Sequence, residues 1–121
     1  MNTSLIIALS VILVLYFFIS RRKSSVENIS VEDLKKIDLT TINLIDVRTL
    51  KEVQGGTIGN PQHIELTAHF HKSIHDLDKD KDYIVYCRSG RRSQLAANIM
   101  ASSGFKNVRN LAGGIQAWSA H

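Results

Sequence analysis

Hydrophobic residues along the chain form two regions of different character. Residues 1–20 carry no charged side chain, and only Ser10 interrupts the apolar run over 5–19. Beyond this run, short apolar stretches alternate with polar turns and with segments in which apolar residues recur every three or four positions. The pattern predicts two units, an apolar leader with its basic flank at 1–23 and one folded domain at 24–121.

The leader has the length of a minimal membrane span. Its 20 uncharged residues would extend about 30 Å as a helix, roughly one hydrocarbon core. A secretory signal peptide carries positive charge before its apolar stretch, whereas here Arg21-Arg22-Lys23 follows it. Flanks rich in Lys and Arg stay in the cytoplasm, so we expect a single-pass membrane anchor through residues 5–19, with the domain on the cytoplasmic side. A cleaved signal peptide, an interfacial helix and a buried helix are the alternatives.

Strand and helix patterns alternate through the domain. Strands are predicted at 42–47, 63–66, 83–86 and 108–111, a helical turn at 49–53, and helices near 31–37, 70–77, 92–103 and from 115 onward. Ser30 is a predicted N-cap, with Asp33 in capping-box position, and residues 24–28 are a predicted linker. Such alternation is typical of an α/β fold with a small parallel sheet and helices on both faces, here preceded by one transmembrane helix.

Net charge argues against nucleic acid as a partner. Of the 15 lysines and arginines, three lie in the Arg21-Arg22-Lys23 cluster, so 12 remain against 11 aspartates and glutamates. A nucleic-acid-binding domain would need a basic face. The informative concentration is local, because Arg88, Arg91 and Arg92 lie beside the only cysteine.

Cys87 directly follows the clearest predicted strand, where ligands bind in parallel-sheet folds. One cysteine forms no intramolecular disulfide, so its neighbours must indicate its role. A helix N-terminus after the loop and three nearby arginines would both lower the pKa of its thiol, and Gly90 would allow the loop unusual backbone angles. We therefore predict a cysteine nucleophile acting on an anion that bears sulfur, phosphorus or arsenic. The alternative is a buried structural cysteine beside solvated arginines.

Three segments in order resemble the rhodanese family, and the resemblance covers nearly all of 24–121. They are Asp46-Val47-Arg48 with Glu52, Gly56 and Ile58; Cys87-Arg88-Ser89-Gly90-Arg91-Arg92-Ser93; and Gly104-Phe105, Val108, Leu111, Gly113-Gly114-Ile115 and Trp118. Thr57 stands where the family usually has histidine, and Asn60-Pro61 replaces its usual Gly-Ala. The resemblance predicts a reshaped loop there within an otherwise intact fold.

The resemblance implies a sulfurtransferase. Cys87 would take sulfur from a small anionic donor such as thiosulfate and pass it, as a persulfide, to a thiol or protein acceptor, or to cyanide in vitro. The donor-binding residues would be Arg88, Ser89, Gly90, Arg91 and Arg92, with Arg48 as a neighbour. Neither a metal nor an organic cofactor is implied. Related phosphatases and arsenate reductases have an arginine six places after the cysteine, and that place is Ser93 here.

Several alternatives stay open at this point. A binding module that recognises a partner but barely turns over is the main rival to the enzyme. Asp46 and Arg48 are interpreted as a salt bridge at a strand end rather than as an acid–base pair. His71 and His75 would share one helix face, but scattered exposed histidines, with His63 and His69, are the preferred interpretation. The donor, the acceptor, the oligomeric state and retention of the leader are not decided by the sequence.

Overall fold

The computed structural model describes residues 2–21 and 26–121. An N-terminal helix, α1 (Thr3–Arg21), precedes an α/β domain. The strands of the domain are β1 (Glu27–Ile29), β2 (Asn43–Asp46), β3 (Gln62–His63), β4 (Asp82–Tyr86) and β5 (Asn107–Leu111). Its helices are α2 (Val31–Lys35), α3 (Leu50–Gln54), α4 (Phe70–Ser73), α5 (Arg91–Ser102) and α6 (Gly114–Ala120), with a 3₁₀ turn at Leu39–Thr41.

The five strands form one parallel sheet in the order β1-β5-β4-β2-β3. In this order β4 is central, with β5 on one side and β2 on the other. Asp46 at the end of β2 is in register with Tyr86 at the end of β4. Because all the strands run the same way, the residues that follow β2, β4 and β5 meet at one edge of the sheet.

Alternation along β4 separates two buried clusters. Tyr83 and Val85 join the cluster that contains residues of α4 and α5. Ile84 and Tyr86 join the opposite cluster, which contains residues of α2 and side chains of α6 packed against it. The prediction of a parallel sheet with helices on both faces is therefore confirmed. Because β4 is buried on both faces, it is apolar at successive positions.

The predicted transmembrane helix is wrong. The apolar side chains of α1 are exposed, but no helix within residues 2–21 and 26–121 is long and apolar enough to cross a membrane. The remainder of the predicted basic flank, 22–23, lies outside the described residues.

Three elements depart most from the sequence prediction. Strand β1 begins in the predicted polar linker and pairs with β5 at the edge of the sheet; its exposed Glu27 and Asn28 concealed it. Residues 24–25 of that linker lie outside the described residues. Strand β3 is shorter than predicted, although Ile64 and Leu66 donate backbone hydrogen bonds to Asp46 and Val47 beyond it. Helix α4 ends at Ser73 because the following residues form turns.

Side chains cap two of the short helices. The Ser30 hydroxyl accepts from the Asp33 N–H at 3.1 Å, which confirms the predicted N-cap of α2. At α3, Thr49 and Glu52 form a reciprocal capping box. Helices of five residues have little stability of their own, so these caps and the packing against the sheet hold them in place.

Tyr86 ties the turn before β3 to the centre of the sheet. Its ring is fully buried, and its hydroxyl oxygen accepts from the Ile58 N–H at 3.1 Å. Burial raises the pKa of this hydroxyl, and the nearby Asp46 carboxylate adds to that shift. Residues 55–58 therefore have a fixed position next to the carboxyl end of β4.

We expect Tyr86→Phe to lower the free energy of unfolding by about 1–3 kcal/mol, because the buried Ile58 N–H loses its partner. Urea denaturation measures the change. Tyr83→Phe is the matched control: its hydroxyl donates to the carbonyl of the exposed Asp78, which water can reach, so its loss should be smaller. Equal losses would contradict the role assigned to Tyr86.

Candidate active site

Cys87 begins the loop that joins β4 to α5. Its sulfur accepts a hydrogen bond from the Gly90 N–H at 3.1 Å and lies 3.3 Å from the Ser93 hydroxyl oxygen. Gly90 has a φ of 100°, in the left-handed region that favours glycine. The conformation of Gly90 lets the loop turn back over the cysteine, whose exposed fraction is 0%.

Helix α6 shapes the loop from behind. The N–H groups of Ile115 and Gln116 donate to the carbonyls of Cys87 and Arg88 at 2.9 and 3.0 Å. In a trans peptide the C=O and N–H point in opposite directions, so the N–H groups of Arg88 and Ser89 face the interior of the loop. The contact leaves no space for a side chain, because a Cβ on Gly114 would lie 2.4 Å from the Arg88 carbonyl oxygen.

Hydrogen-bond donors around the sulfur lower the pKa of the Cys87 thiol. Burial raises the pKa of the Cys87 thiol, but hydrogen bonds from the Ser93 hydroxyl and from the N–H groups of Ser93, Gly90 and Ser89 outweigh it, so the net shift is downward. The N-terminus of α5 also faces the sulfur and favours negative charge there. The site thus stabilises a thiolate, as the sequence predicts, although the thiolate is covered rather than open to solvent.

Arg92, at the end of the loop, is held by Glu52 of α3. The two side chains form a bidentate ion pair, with N–O distances of 2.7 and 2.8 Å. The guanidinium holds the pKa of Glu52 at about 2, well below its usual value. Most of the charge of Arg92 is therefore balanced by a carboxylate, and its position links the cysteine loop to the segment after β2.

Arg48 is also engaged in internal contacts. It is 5% exposed and its guanidinium pairs with Asp46 at 2.7 Å. It also donates to the backbone carbonyls of Glu52 and Gly56 at 3.3 and 2.6 Å. The geometry agrees with the salt bridge interpreted from the sequence, and it leaves Arg48 little freedom to contact a donor.

Arg88 and Arg91 differ from these two arginines. Both are exposed, and neither forms an ion pair with any residue that the structure describes. Arg88 lines an open cleft of about 790 Å³ between residues 55–57 and α6. Arg91 lines a second cleft of about 470 Å³ on the other side of the loop. The free positive charge of the site therefore lies at the two mouths of the loop.

The fold and the loop can now be compared with known proteins. A model of the rhodanese-like domain family matches residues 30–121. The chain belongs to this family. The three segments that carry the resemblance meet at one edge of the sheet. Each contributes residues there: Asp46-Val47-Arg48, the cysteine loop and Gly113-Gly114.

Relatives of the chain connect this family to sulfur transfer. The chain is 38% identical over 85 residues to a sulfurtransferase of Allochromatium vinosum, covering 69% of this chain and 78% of that protein. It is 34% identical over 90 residues to a thiosulfate sulfurtransferase of Coxiella burnetii, covering 74% and 80%. The structure of a rhodanese-like domain protein of Staphylococcus aureus superposes with a TM-score of 0.69 at 26% identity, covering 76% and 90%. The chain spans only 55% of a longer Bacillus subtilis relative.

Two buried residues near the sulfur, Ser93 and Asn110, make contacts in the site that the sequence does not indicate. Ser93, which from sequence only marks the place of a phosphatase arginine, directs its hydroxyl to Cys87. Asn110, in the middle of β5, hydrogen-bonds that hydroxyl at 2.6 Å. The sequence carries little signal for Asn110, because β5 also contains the polar residues Asn107 and Arg109. Of the predicted histidines, His63 contacts the Arg48 carbonyl, and His69, His71 and His75 are exposed.

We expect Glu52→Gln to destabilise the fold near neutral pH and to have no effect near pH 2. A carboxyl whose folded pKa is about 2, below the usual 4.5, contributes stability above pH 4.5 and loses it as the pH falls towards 2. The loss at pH 7 should be about 1 kcal/mol at most, since solvent screens a pair that is 29% and 39% exposed. Glutamine can still form the capping box.

Urea denaturation of wild type and variant between pH 2 and 7 measures the difference in their free energies of unfolding at each pH. The control is Glu65→Gln, which removes the same charge from an exposed residue with no ion pair among the described residues. If wild type and Glu52→Gln differed in free energy of unfolding by the same amount at every pH, the ion pair with Arg92 would not be the source of the stability.

We expect Gly114→Ala to raise the pKa of Cys87 towards about 8.5, the ordinary value of a thiol. The new Cβ would overlap the Arg88 carbonyl oxygen, so the loop must shift and its N–H groups no longer converge on the sulfur. Thiolate absorbance against pH reports the change, since the chain has one cysteine.

Gly104→Ala is the control for this variant. Gly104 has a φ of 97°, but a Cβ there would lie 3.7 Å from the nearest atom. It therefore shares the backbone strain and lacks the steric overlap. An unchanged Cys87 pKa in a folded Gly114→Ala protein would contradict the support assigned to α6.

Proposed function

We propose that the chain is a sulfurtransferase that carries sulfur as a persulfide on Cys87. The observation that carries the proposal is the convergence of the Gly90 N–H, the Ser89 N–H and the Ser93 hydroxyl on one sulfur atom, which lowers its pKa. The thiolate is the nucleophilic form of a cysteine, and a lowered pKa increases its share at a given pH. The sulfurtransferases among the relatives support this chemistry at the level of the family.

The first half-reaction loads the carrier. The Cys87 thiolate attacks the outer sulfur of thiosulfate, the sulfur–sulfur bond of the donor breaks, and its electron pair leaves with sulfite. The negative charge is now on the outer sulfur of a Cys87 persulfide. The loop N–H groups that stabilise the thiolate can then stabilise that outer sulfur.

The second half-reaction unloads it. An acceptor thiolate attacks the outer sulfur of the protonated persulfide, and the Cys87 thiolate leaves. The acceptor becomes a persulfide, and cyanide would become thiocyanate in the same way. Because the chain has no second cysteine, the acceptor is not another cysteine of this chain.

We assign direct contact with the donor to Arg88 and Arg91. Their charges are exposed at the two mouths of the loop, and a doubly negative anion such as thiosulfate would be attracted there. Arg92 and Arg48 act differently, because their guanidinium groups are engaged with Glu52 and Asp46. They hold the loop and the neighbouring turn in position.

Access to the sulfur requires movement. Cys87 is fully covered in this structure, whereas Arg88, Ser89 and Arg91 around it are exposed. The exposed loop residues must therefore open for the donor to reach the sulfur. This burial is also the observation that favours the rival function, a rhodanese-like binding module in which the cysteine is inert.

Intact-protein mass spectrometry of the whole chain after thiosulfate treatment separates the two functions. We expect the wild type to gain one sulfur atom, which a reducing thiol removes, and Cys87→Ser to gain none. Serine keeps the size of the side chain but forms no persulfide. Arg91→Gln should load more slowly while the Cys87 pKa stays nearly unchanged, because Arg91 contacts the donor rather than the thiolate.

A folded wild-type protein that gains no sulfur from thiosulfate would count against this donor. If other persulfide donors also failed although Cys87 was reduced, the binding module would be the better interpretation. Sulfur gained equally by Cys87→Ser would place the modification elsewhere and overturn the assignment of the carrier.

A further inference from the structure

The hydroxyl of Ser93 lies between two acceptors. Its oxygen is 3.3 Å from the Cys87 sulfur and 2.6 Å from the side-chain oxygen of Asn110. Ser93 is fully buried and Asn110 is 3% exposed, so bulk water cannot substitute for either contact. A serine hydroxyl has one hydrogen to donate, and the two acceptors therefore compete for it.

The amide of Asn110 has one allowed orientation. Its nitrogen lies 3.2 Å from the Gly90 carbonyl oxygen, which can only accept. The same nitrogen contacts the side-chain oxygens of Asn28 and Gln94 at 3.1 and 3.2 Å. Turning the amide over would place two oxygens against each other at Gly90, so the Asn110 oxygen must face Ser93.

The state of Cys87 decides where the Ser93 hydrogen goes. An ionised sulfur attracts the hydrogen and leaves the oxygens of Ser93 and Asn110 facing each other at 2.6 Å. A neutral thiol, or the inner sulfur of a persulfide, is a weak acceptor, and the hydrogen then returns to Asn110. Asn110 is thus satisfied in the loaded state and left without this hydrogen bond in the thiolate state.

We propose that Asn110 is a positioning residue that acts through the Ser93 hydroxyl to destabilise the Cys87 thiolate relative to the persulfide. The proposal rests on the proposed function. By taking back the Ser93 hydrogen once the charge has moved to the outer sulfur, Asn110 shifts the sulfur-transfer equilibrium towards the loaded carrier. It also makes the Cys87 thiolate a poorer leaving group when the acceptor attacks.

The charged groups at this end of the sheet are the same with or without Asn110. They are Arg88 of the loop, Arg91 and Arg92 of α5 with Glu52 of α3, and Asp46 at the end of β2 with Arg48. Asn110 is uncharged, so replacing it leaves these charges in place. It removes the competing acceptor together with the amide N–H contacts to Gly90, Asn28 and Gln94, and the Ser93→Ala background separates the two effects.

The test compares Asn110→Leu, Ser93→Ala and the double variant of the whole chain. Leucine has nearly the size of asparagine but cannot accept, so the Ser93 hydrogen is free to remain on the thiolate. We expect the Cys87 pKa in Asn110→Leu to fall by about 0.5 to 1. In Ser93→Ala it should rise, and adding Asn110→Leu to Ser93→Ala should change it much less than Asn110→Leu changes the wild type, because only the contact with the Gly90 carbonyl is then lost. Thiolate absorbance gives all four values.

The two half-reactions give a second readout that a merely structural role would not move in this way. Asn110→Leu should unload sulfur to a thiol about three- to tenfold faster than wild type and hold less persulfide at equilibrium with thiosulfate and sulfite. Loss of packing alone would slow both loading and unloading. Asn110→Ala, which adds no apolar bulk, should show the same signs as Asn110→Leu.

A measurement on the unsubstituted chain covers the case in which neither Asn110 variant folds. The side-chain amide resonances of Asn110 should titrate with Cys87 in the wild type and lose that titration in Ser93→Ala. A Cys87 pKa that is unchanged or raised in folded Asn110→Leu, an equal shift in the Ser93→Ala background, or amide resonances that ignore Cys87 would overturn the proposal. These titrations need no sulfur donor, so they decide the Asn110–Ser93 link even if no persulfide forms.

Discussion

Packing of α6 against the backbone of the cysteine loop is the constraint on which the site depends. Because β5 lies next to β4 in the sheet, the turn after β5 begins α6 directly behind the loop after β4. N–H groups in the first turn of α6 donate hydrogen bonds to the carbonyls of Cys87 and Arg88. The N–H groups of the same two peptides therefore point into the loop. The close approach needs glycine at position 114, and a parallel sheet of another order would not bring the two turns together.

The arginines near the sulfur divide into two classes once their partners are considered. Arg92 and Arg48 are balanced by Glu52 and Asp46, and a buried pair such as Asp46–Arg48 resists loss of either partner, since the other charge would be left uncompensated. Arg88 and Arg91 retain exposed charge. The paired arginines thus maintain the shape of the loop, and the exposed ones leave positive charge where the proposed anionic donor would approach.

Periodicity was sufficient for the central part of the fold and insufficient at its margins. In strand β4 and helix α5, apolar residues recur at the spacing of a strand and of a helix, so the sequence pattern predicts both elements well. Strand β1 is polar and exists because it pairs with β5, a long-range contact that no local pattern contains. Likewise Cys87 and its loop were accessible from local sequence, whereas the pairing of Arg92 with Glu52 and the contact between Ser93 and Asn110 depend on segments distant in the chain. The apolar leader shows the converse, since composition alone predicted a span that α1 does not provide.

Burial of the sulfur has two opposing consequences for a persulfide carrier. It raises the pKa of the thiol, and the site offsets this with converging hydrogen bonds. It also separates the sulfur from solvent, which would protect a persulfide from thiols other than its acceptor. In the proposed function, each transfer must wait for the loop to open. The same hydrogen-bond donors would then serve both states, since loading would move the negative charge outward by one sulfur atom and would leave the Ser93 hydrogen free to move to Asn110.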